Sequence, residues 1–185
     1  MAWTPAKDKG AYASKGGGII KIKEVNDDGS DLTTPGTIYD VGYLQETNFS
    51  DNTPTTPIKD EHGDTIVNEE GDRDVIVSGV LMQRDKLTLD MAKECRGKFY
   101  ALMKYNGIIN GKYQEIFYAV GQIDPSFDVK LQGGTTPFKF TATKVNSAIT
   151  IASASLTASF WNTKTSTTVT IAADDYYTIV ETTVT

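Results

Sequence analysis

The stretch Asp85-Lys86-Leu87-Thr88-Leu89-Asp90-Met91-Ala92-Lys93-Glu94-Cys95-Arg96-Gly97-Lys98-Phe99-Tyr100-Ala101-Leu102-Met103-Lys104-Tyr105 decides how the chain is read. At 100° per residue, Leu87, Met91, Ala92, Cys95, Phe99, Leu102 and Met103 gather on one half of a helical wheel, while Lys86, Asp90, Lys93, Glu94 and Lys104 occupy the other. The pattern predicts one long amphipathic helix with a buried face, standing alone among alternating β segments. Lys98 lies near the edge of the apolar side, where an aliphatic stem can run out to water. Gly97 falls on the polar side and costs roughly 1 kcal/mol there relative to alanine.

On the amino-terminal side, residues 2–18 carry Pro5 and the run Gly16-Gly17-Gly18, the composition of an arm that orders on a partner. Residues 18–25 alternate Ile20 and Ile22 with Lys21 and Lys23 and predict a first strand, closed by the turn residues Asn26, Asp27, Asp28 and Gly29. A second strand is expected over residues 37–45, where Tyr39, Val41 and Tyr43 alternate. Residues 46–72 are polar and acidic. Within them, Ile58-Lys59 and Ile66-Val67 flank Glu61-His62-Gly63-Asp64, which predicts a two-stranded excursion on a long loop. Residues 73–83 set Val75, Val77 and Leu81 against Ile76, Val80 and Met82, the pattern of a strand buried on both faces.

Beyond the helix, Asn110-Gly111 signals a tight turn. Residues 113–123 read as a strand, with Ile116, Tyr118 and Val120 opposite Glu115, Phe117 and Ala119, and Asp124-Pro125 ends it. Residues 127–131 and 138–142, turned at Gly133-Gly134, predict a hairpin with one apolar face. After Val145 the composition shifts: 16 of the residues from 146 to 185 are Ser or Thr, and Lys164 is the only base. Phe160, Trp161, Tyr176 and Tyr177 are too apolar for a free linker, and Thr168 to Ile171 alternate. The tract therefore reads as a β extension, residues 146–185, on a domain of residues 1–145; a peripheral strand pair of the same domain is the other reading.

A chain of 185 residues builds one substantial core. Its net charge of −6 and pI of about 4.8 argue against gripping nucleic acid by its phosphates. With Cys95 as the single cysteine there is no disulfide framework within the chain, and a reducing compartment is expected. No apolar run has signal-peptide or membrane-span length, so a soluble, unexported chain is expected.

His62, the only histidine, sits in a polar loop with no second histidine or cysteine to share a metal. Cys95 on the apolar helix face reads as a small core hydrophobe, and with His62 far away a nucleophile–base pair has little support. Asn26 to Asp31 offers oxygen ligands but lacks the twelve-position register and closing glutamate of a calcium loop, so a plain turn is expected. The carboxylates Asp60, Glu61, Asp64, Glu69, Glu70 and Asp72 read as solvated loop charge. Gly16 to Gly18 lacks the following Lys and Ser or Thr that a phosphate-cradling loop requires. These readings assign no catalytic residue, no metal and no cofactor, and the expectation is that the protein is not an enzyme.

The order of strand, long acidic loop, strong strand, single helix, strand and hairpin resembles the tail tube, or major tail, proteins of long-tailed bacteriophages and the related inner-tube proteins of contractile injection machines. The resemblance is carried by Val41-Gly42-Tyr43, the acidic excursion from Asp60 to Ile66, Val75 to Leu81 leading through Gln83-Arg84-Asp85, Ile116 to Val120, and the pair Phe127 to Leu131 and Pro137 to Ala142. It spans about residues 18–145. It implies a mainly β subunit, a β-sandwich or half-barrel with one flanking α-helix, that forms hexameric rings stacked into a hollow tube conducting DNA during ejection. It further implies a place in the virion tail after synthesis in the host cytoplasm. Copies of the chain itself would be its partners, with a tape measure and a tail terminator among other tail proteins. DNA would pass through the lumen without specific binding, repelled by inward carboxylates for which Glu115, Asp124 and Asp128 are candidates. The extra residues 146–185 would decorate the tube's outside. The alternative is a carbohydrate-binding or adhesive β-module, with Trp3, Trp161, Tyr176 and Tyr177 as stacking platforms and the acidic loop holding calcium.

Overall fold

The alternation around Ile20 and Ile22 produces strand β1 (Gly18–Val25). A computed structural model describes residues 18–30, 32, 38–40, 44–81, 93–106, 108–109, 112–113, 116–124, 136–151 and 168–180. In chain order β1 is followed by β2 (Ile38–Asp40), β3 (Leu44–Asn52), β4 (Thr55–Lys59), β5 (Thr65–Glu70), β6 (Asp74–Leu81) and β7 (Phe99–Asn106). The remainder are β8 (Ile108–Ile109), β9 (Lys112–Tyr113), β10 (Ile116–Ile123), β11 (Thr136–Ala142), β12 (Ile149–Ile151), β13 (Val169–Ile171) and β14 (Tyr177–Val180). The protein is mainly β, built of antiparallel sheets.

The main sheet runs β2-β1-β7-β10-β11-β6-β3, with β14 also on β10. Strand β10 is its fork. One edge of β10 pairs with β7 from Ile116 to Gly121. The other edge is shared, with β14 along Ile116 to Ala119 and β11 along Gly121 to Ile123. From the fork the limb β11-β6-β3 folds over the limb β1-β7-β10, so that Val75, Val77, Phe138 and Phe140 meet Ile20, Ile22, Tyr100, Leu102, Ala119 and Ile123 in one core. On the opposite face of the second limb, Val25, Ala101, Met103, Ile116, Tyr118 and Val120 are covered by Val169 and Ile171, with Ile149 and Ile151 beside them. The described part of residues 146–185 thus supplies the cover of a second core and a strand of the main sheet.

Two glycines permit close approaches. A Cβ on Gly121 would meet the carbonyl oxygen of Thr141 and lie 2.7 Å from Cα of Ala142, where β11 crosses onto β10. Gly29 has φ +78° and sits in the turn after β1, where a Cβ would lie 2.6 Å from Ile149 Cδ1 and 3.1 Å from Val120 Cγ2. The turn is locked by Asp28, whose Oδ1 accepts from Ser30 N at 2.9 Å and Ser30 Oγ at 2.6 Å.

The long helix is overturned over its carboxy-terminal third. Residues Phe99 to Asn106 form strand β7, registered against β1 from Val25↔Phe99 to Gly18↔Asn106 and against β10 on its other side. Among the described residues of that stretch only Lys93 and Glu94 are helical, and residues 85–92 lie outside the described set. The cause is the unbroken apolar run Phe99 to Met103, which fits a helical face and a strand buried on both faces equally well. Ladder bonds on two edges decide for the strand. Gly97, read as a tolerated defect of a helix, has φ +70° and belongs to the turn in which Lys98 N donates to Cys95 O at 3.3 Å.

The single strand expected over residues 37–45 is two strands at opposite ends of the sheet: β2 borders β1, and β3 borders β6. The polar residues Asn48 to Asn52, read as loop, continue β3, because an edge strand with exposed side chains needs no apolar alternation. The excursion around Glu61-His62-Gly63-Asp64 is the β4–β5 hairpin. Ile109 pairs with Lys112 across Asn110-Gly111. In β6, Val75 and Val77 are buried whereas Ile76 and Val80 are only half-buried. The strand most fully buried on both faces is β10. Residues 127–131 lie outside the described set.

Gly121→Ala is expected to lower unfolding stability by about 2–3 kcal/mol, because the new methyl meets backbone that cannot step aside. The urea midpoint measures this, and an unchanged midpoint would contradict the close crossing. Ile171→Ala is expected to cost about 2–4 kcal/mol as a large-to-small change in a core, while Thr170→Ala on the exposed side of the same strand stays within about 0.5 kcal/mol. Equal effects would mean that β13 covers nothing.

Candidate assembly surface

Among the described residues, each end of the main sheet carries a strand bonded on one side only, β2 at one end and β3 at the other. Strand β3 is the longer edge. From Asn48 to Asn52 its residues are exposed. Backbone donors and acceptors along such an edge remain available to another chain, and polar side chains keep it from pairing indiscriminately.

Phe49 and Asp51 point from β3 toward β14. Phe49 packs edge-on to Phe117 and Tyr177, with ring centroids 5.3 and 5.1 Å away, and Phe117 stacks on Tyr177 at 5.3 Å. Phe49 remains 43% exposed and Ile179 52%, so the core opens to solvent at this mouth. Beside it, Arg73 grips Asp51 with two hydrogen bonds, Nε to Oδ1 at 2.8 Å and Nη2 to Oδ2 at 2.6 Å. Tyr177 Oη donates to Asp51 Oδ2 at 2.9 Å. The guanidinium also lies 5.3 Å from the ring centre of Tyr176 and 5.7 Å from that of Tyr177. This network ties β14 to the β3–β6 ribbon.

Electrostatics follow the geometry. The hydrogen bond from Arg73 holds the Asp51 carboxyl below its ordinary range, with a smaller contribution from Tyr177. Burial, then the Asp51 carboxylate, pushes the Tyr177 phenol up. A carboxyl depressed in the folded state contributes stability at pH above its unfolded pKa and loses it as pH falls through its folded one. The tie therefore loosens in acid, as Asp51 takes a proton, and again in alkali, as Tyr177 loses the proton it donates.

Strands β4 and β5 project beyond the ends of β3 and β6, and every residue of both is exposed. At the tip, Asp60 Oδ1 accepts from His62 N at 2.9 Å and Asp64 N at 2.8 Å. Gly63 supplies φ +89° for the turn. At the root, Gly71 N donates to Pro54 O at 2.7 Å. Ile58 faces Val67 across the hairpin, and Ile66 is 69% exposed.

Of the carboxylates put forward for a lumen, Asp124 ends β10, where its Oδ2 lies 4.0 Å from Lys139 Nζ and its backbone N donates to Lys139 O at 2.9 Å. Glu115 and Asp128 lie outside the described residues, as do Trp3 and Trp161. His62 is exposed on the hairpin tip, 4.0 Å from Glu61. Cys95 is buried in the first core, and burial pushes its thiol up, away from a reactive thiolate. Among the described residues no group of three or more His, Cys, Asp or Glu converges on a metal position. Also among them, no helix is long and apolar enough to cross a membrane. The Asp51, Arg73 and Tyr177 network escaped sequence reading, because its members are separated by 22 and 126 positions and no local spacing announces them.

No protein-family model matches the chain, and no curated protein matches it. Among solved structures it is similar to a chain in the tail of an empty GTA particle refined helically with C6 symmetry: 18% identity over 75% of this chain and 95% of that one, TM-score 0.41. A chain in the 6-fold symmetrised baseplate of the anti-feeding prophage (AFP) is similar at 10% identity over 76% of this chain and 91% of that one, TM-score 0.39. At TM-scores below 0.5 neither likeness fixes a shared fold.

Proposed function

We propose that the protein is a structural subunit of a phage-type tail, whose copies pair sheet edge to sheet edge into rings that stack as a hollow tube. The observation that carries this reading is that, among the described residues, the main sheet ends at β2 on one side and at β3 on the other, each bonded along one edge alone. Because the two edges are different surfaces, β3 of one copy meets β2 of the next head to tail, and such a contact closes a ring when its rotation closes. Closure covers the β2 and β3 edges and joins the main sheets of the copies into one barrel. The resemblance described from the sequence implies six copies per ring, and tape-measure and terminator proteins as neighbours in the virion tail.

Under this reading the work is geometric and not catalytic. The net charge of −6 lets DNA pass without being held, with Glu115, Asp124 and Asp128 proposed for the lumen wall. A long amphipathic helix would have no role in the rival, a carbohydrate-binding module, but Phe99 to Asn106 is a strand and does not count against it. It does lose Tyr177 as an open stacking platform, because that ring is stacked on Phe117 and its hydroxyl is bonded to Asp51.

Light scattering and negative-stain microscopy over a concentration series are expected to show rings or tubes. Asn48→Lys with Ser50→Lys, at exposed positions of β3, should leave the fold intact and weaken association by about tenfold or more. A chain that stays monomeric throughout, or associates unchanged with both lysines, would contradict edge pairing. In assembled particles, Asp124→Lys is expected to slow genome ejection without blocking tube formation, and unchanged ejection would remove Asp124 from the lumen wall.

A further inference from the structure

We propose that residues 176–180 form a releasable strap, latched to β3 through Asp51, which lifts from β10 as a unit while the rest of both cores stays closed. This concerns a single copy of the chain and does not depend on how copies assemble.

Burial changes abruptly along the last described stretch. Val169 and Ile171 of β13 are fully buried and anchor that strand on the second core. The turn that follows, residues 172–175, is exposed but clamped: Val145 N donates to Asp175 O at 2.9 Å, and Asp174 N donates to Val145 O at 2.8 Å. Lys144 Nζ reaches Asp174 Oδ1 at 2.8 Å, and Asp174 itself turns the chain with φ +69°. Beyond this clamp none of Tyr176, Tyr177, Thr178, Ile179 and Val180 is fully buried, and Ile179 is 52% exposed. The β10 residues alongside are the reverse, with Ile116, Tyr118 and Ala119 at most 1% exposed. Strand β14 therefore covers a buried strand without being buried itself.

The hold on the strap is concentrated at its start. Backbone pairing runs only from Ala119↔Tyr177 to Ile116↔Val180, and among the described residues β14 pairs with no other strand. Tyr177 adds its hydroxyl bond to Asp51, its stacking on Phe117 and its edge contact with Phe49. Asp51 is the hub, since it receives two nitrogens of Arg73 as well as that hydroxyl, and the same guanidinium lies over the rings of Tyr176 and Tyr177. Removing one carboxylate thus unties the hydroxyl and the cation together. The Arg73–Asp51 and Lys144–Asp174 pairs are partly open to water, where such attraction is weak and screened by salt. A short strand with one bonded edge and little buried apolar surface belongs to the least stable cooperative units of a fold. When it lifts, β10 remains bonded to β7 from Ile116 to Gly121 and to β11 from Gly121 to Ile123. What is uncovered is the other edge of Ile116 to Ala119, a slot to which an extended strand can be added. The strap keeps closed an edge that would otherwise be open to other chains.

Hydrogen exchange of the full chain in low concentrations of urea tests this. In the wild type, the amides that join residues 177–180 to β10 are expected to exchange at least about tenfold faster than those joining β7 to β1, and with a weaker dependence on urea. Asp51→Ala should speed the first set by a further factor of about five and leave the second within about twofold. Matching rates and urea dependence of the two sets in the wild type would overturn the inference. So would an Asp51→Ala variant that leaves the first set unchanged or speeds both sets equally. Should that variant fail to fold, Tyr177→Phe, which removes the hydroxyl alone, decides by the same comparison: faster exchange of the first set by itself supports the strap, and unchanged exchange overturns it.

Discussion

Burial of β10 on both faces is the constraint on which the rest of the structure depends. Its Phe117, Ala119 and Ile123 look into one core, and its Ile116, Tyr118 and Val120 into another, so a single strand is shared by two hydrophobic layers. Each of those side chains is worth roughly 1.5–3 kcal/mol when removed from water, if aliphatic or aromatic and fully buried. Neither core closes without distant parts of the chain. The first needs the β11-β6-β3 limb to fold over; the second needs the paired strands β12 and β13. Gly121 lets β11 cross, and Gly29 lets β12 approach, so both cores depend on a glycine at a point of close contact.

Division of one strand edge between β14 and β11 gives the sheet its shape. Where β11 leaves β10 the sheet opens, and β14 occupies the gap with its Tyr177 turned toward β3. The Asp51 and Arg73 pair secures that strand with charge-assisted bonds where the apolar core runs out to solvent. The opening leaves β3 as a long polar edge and the β4–β5 ribbon as a projection. Among the described residues nothing pairs with the outer edge of β3, and every residue of the β4–β5 ribbon is exposed.

Much of this was legible from the alternation of particular residues. Ile20 and Ile22 announced β1; Val75 and Val77 announced β6; Phe138 and Phe140 announced β11; and Glu61-His62-Gly63-Asp64 announced the hairpin turn. Phe99 to Met103 is continuous in apolar character and so carries no period, and the decision between helix and strand was made by β1 and β10, which are remote in sequence. Asn48 to Asn52 looked like loop because an exposed edge strand is free of the alternation that burial imposes. The Asp51–Arg73–Tyr177 network joins β3, the start of β6 and the last described strand, a contact only the closed fold creates. Of the proposed lumen carboxylates, Asp124 is found beside Lys139 at the end of β10.

The central claim is that copies of this chain complete one another's sheet borders. Hydrogen exchange of the β2 and β3 backbone amides, compared between dilute monomer and assembled particles, tests it most directly. The account predicts outward-facing amides of both strands that exchange freely in the monomer and are protected on assembly, while β10 is protected in both states. Protection of β2 and β3 already complete in the monomer, or unchanged on assembly, would contradict it.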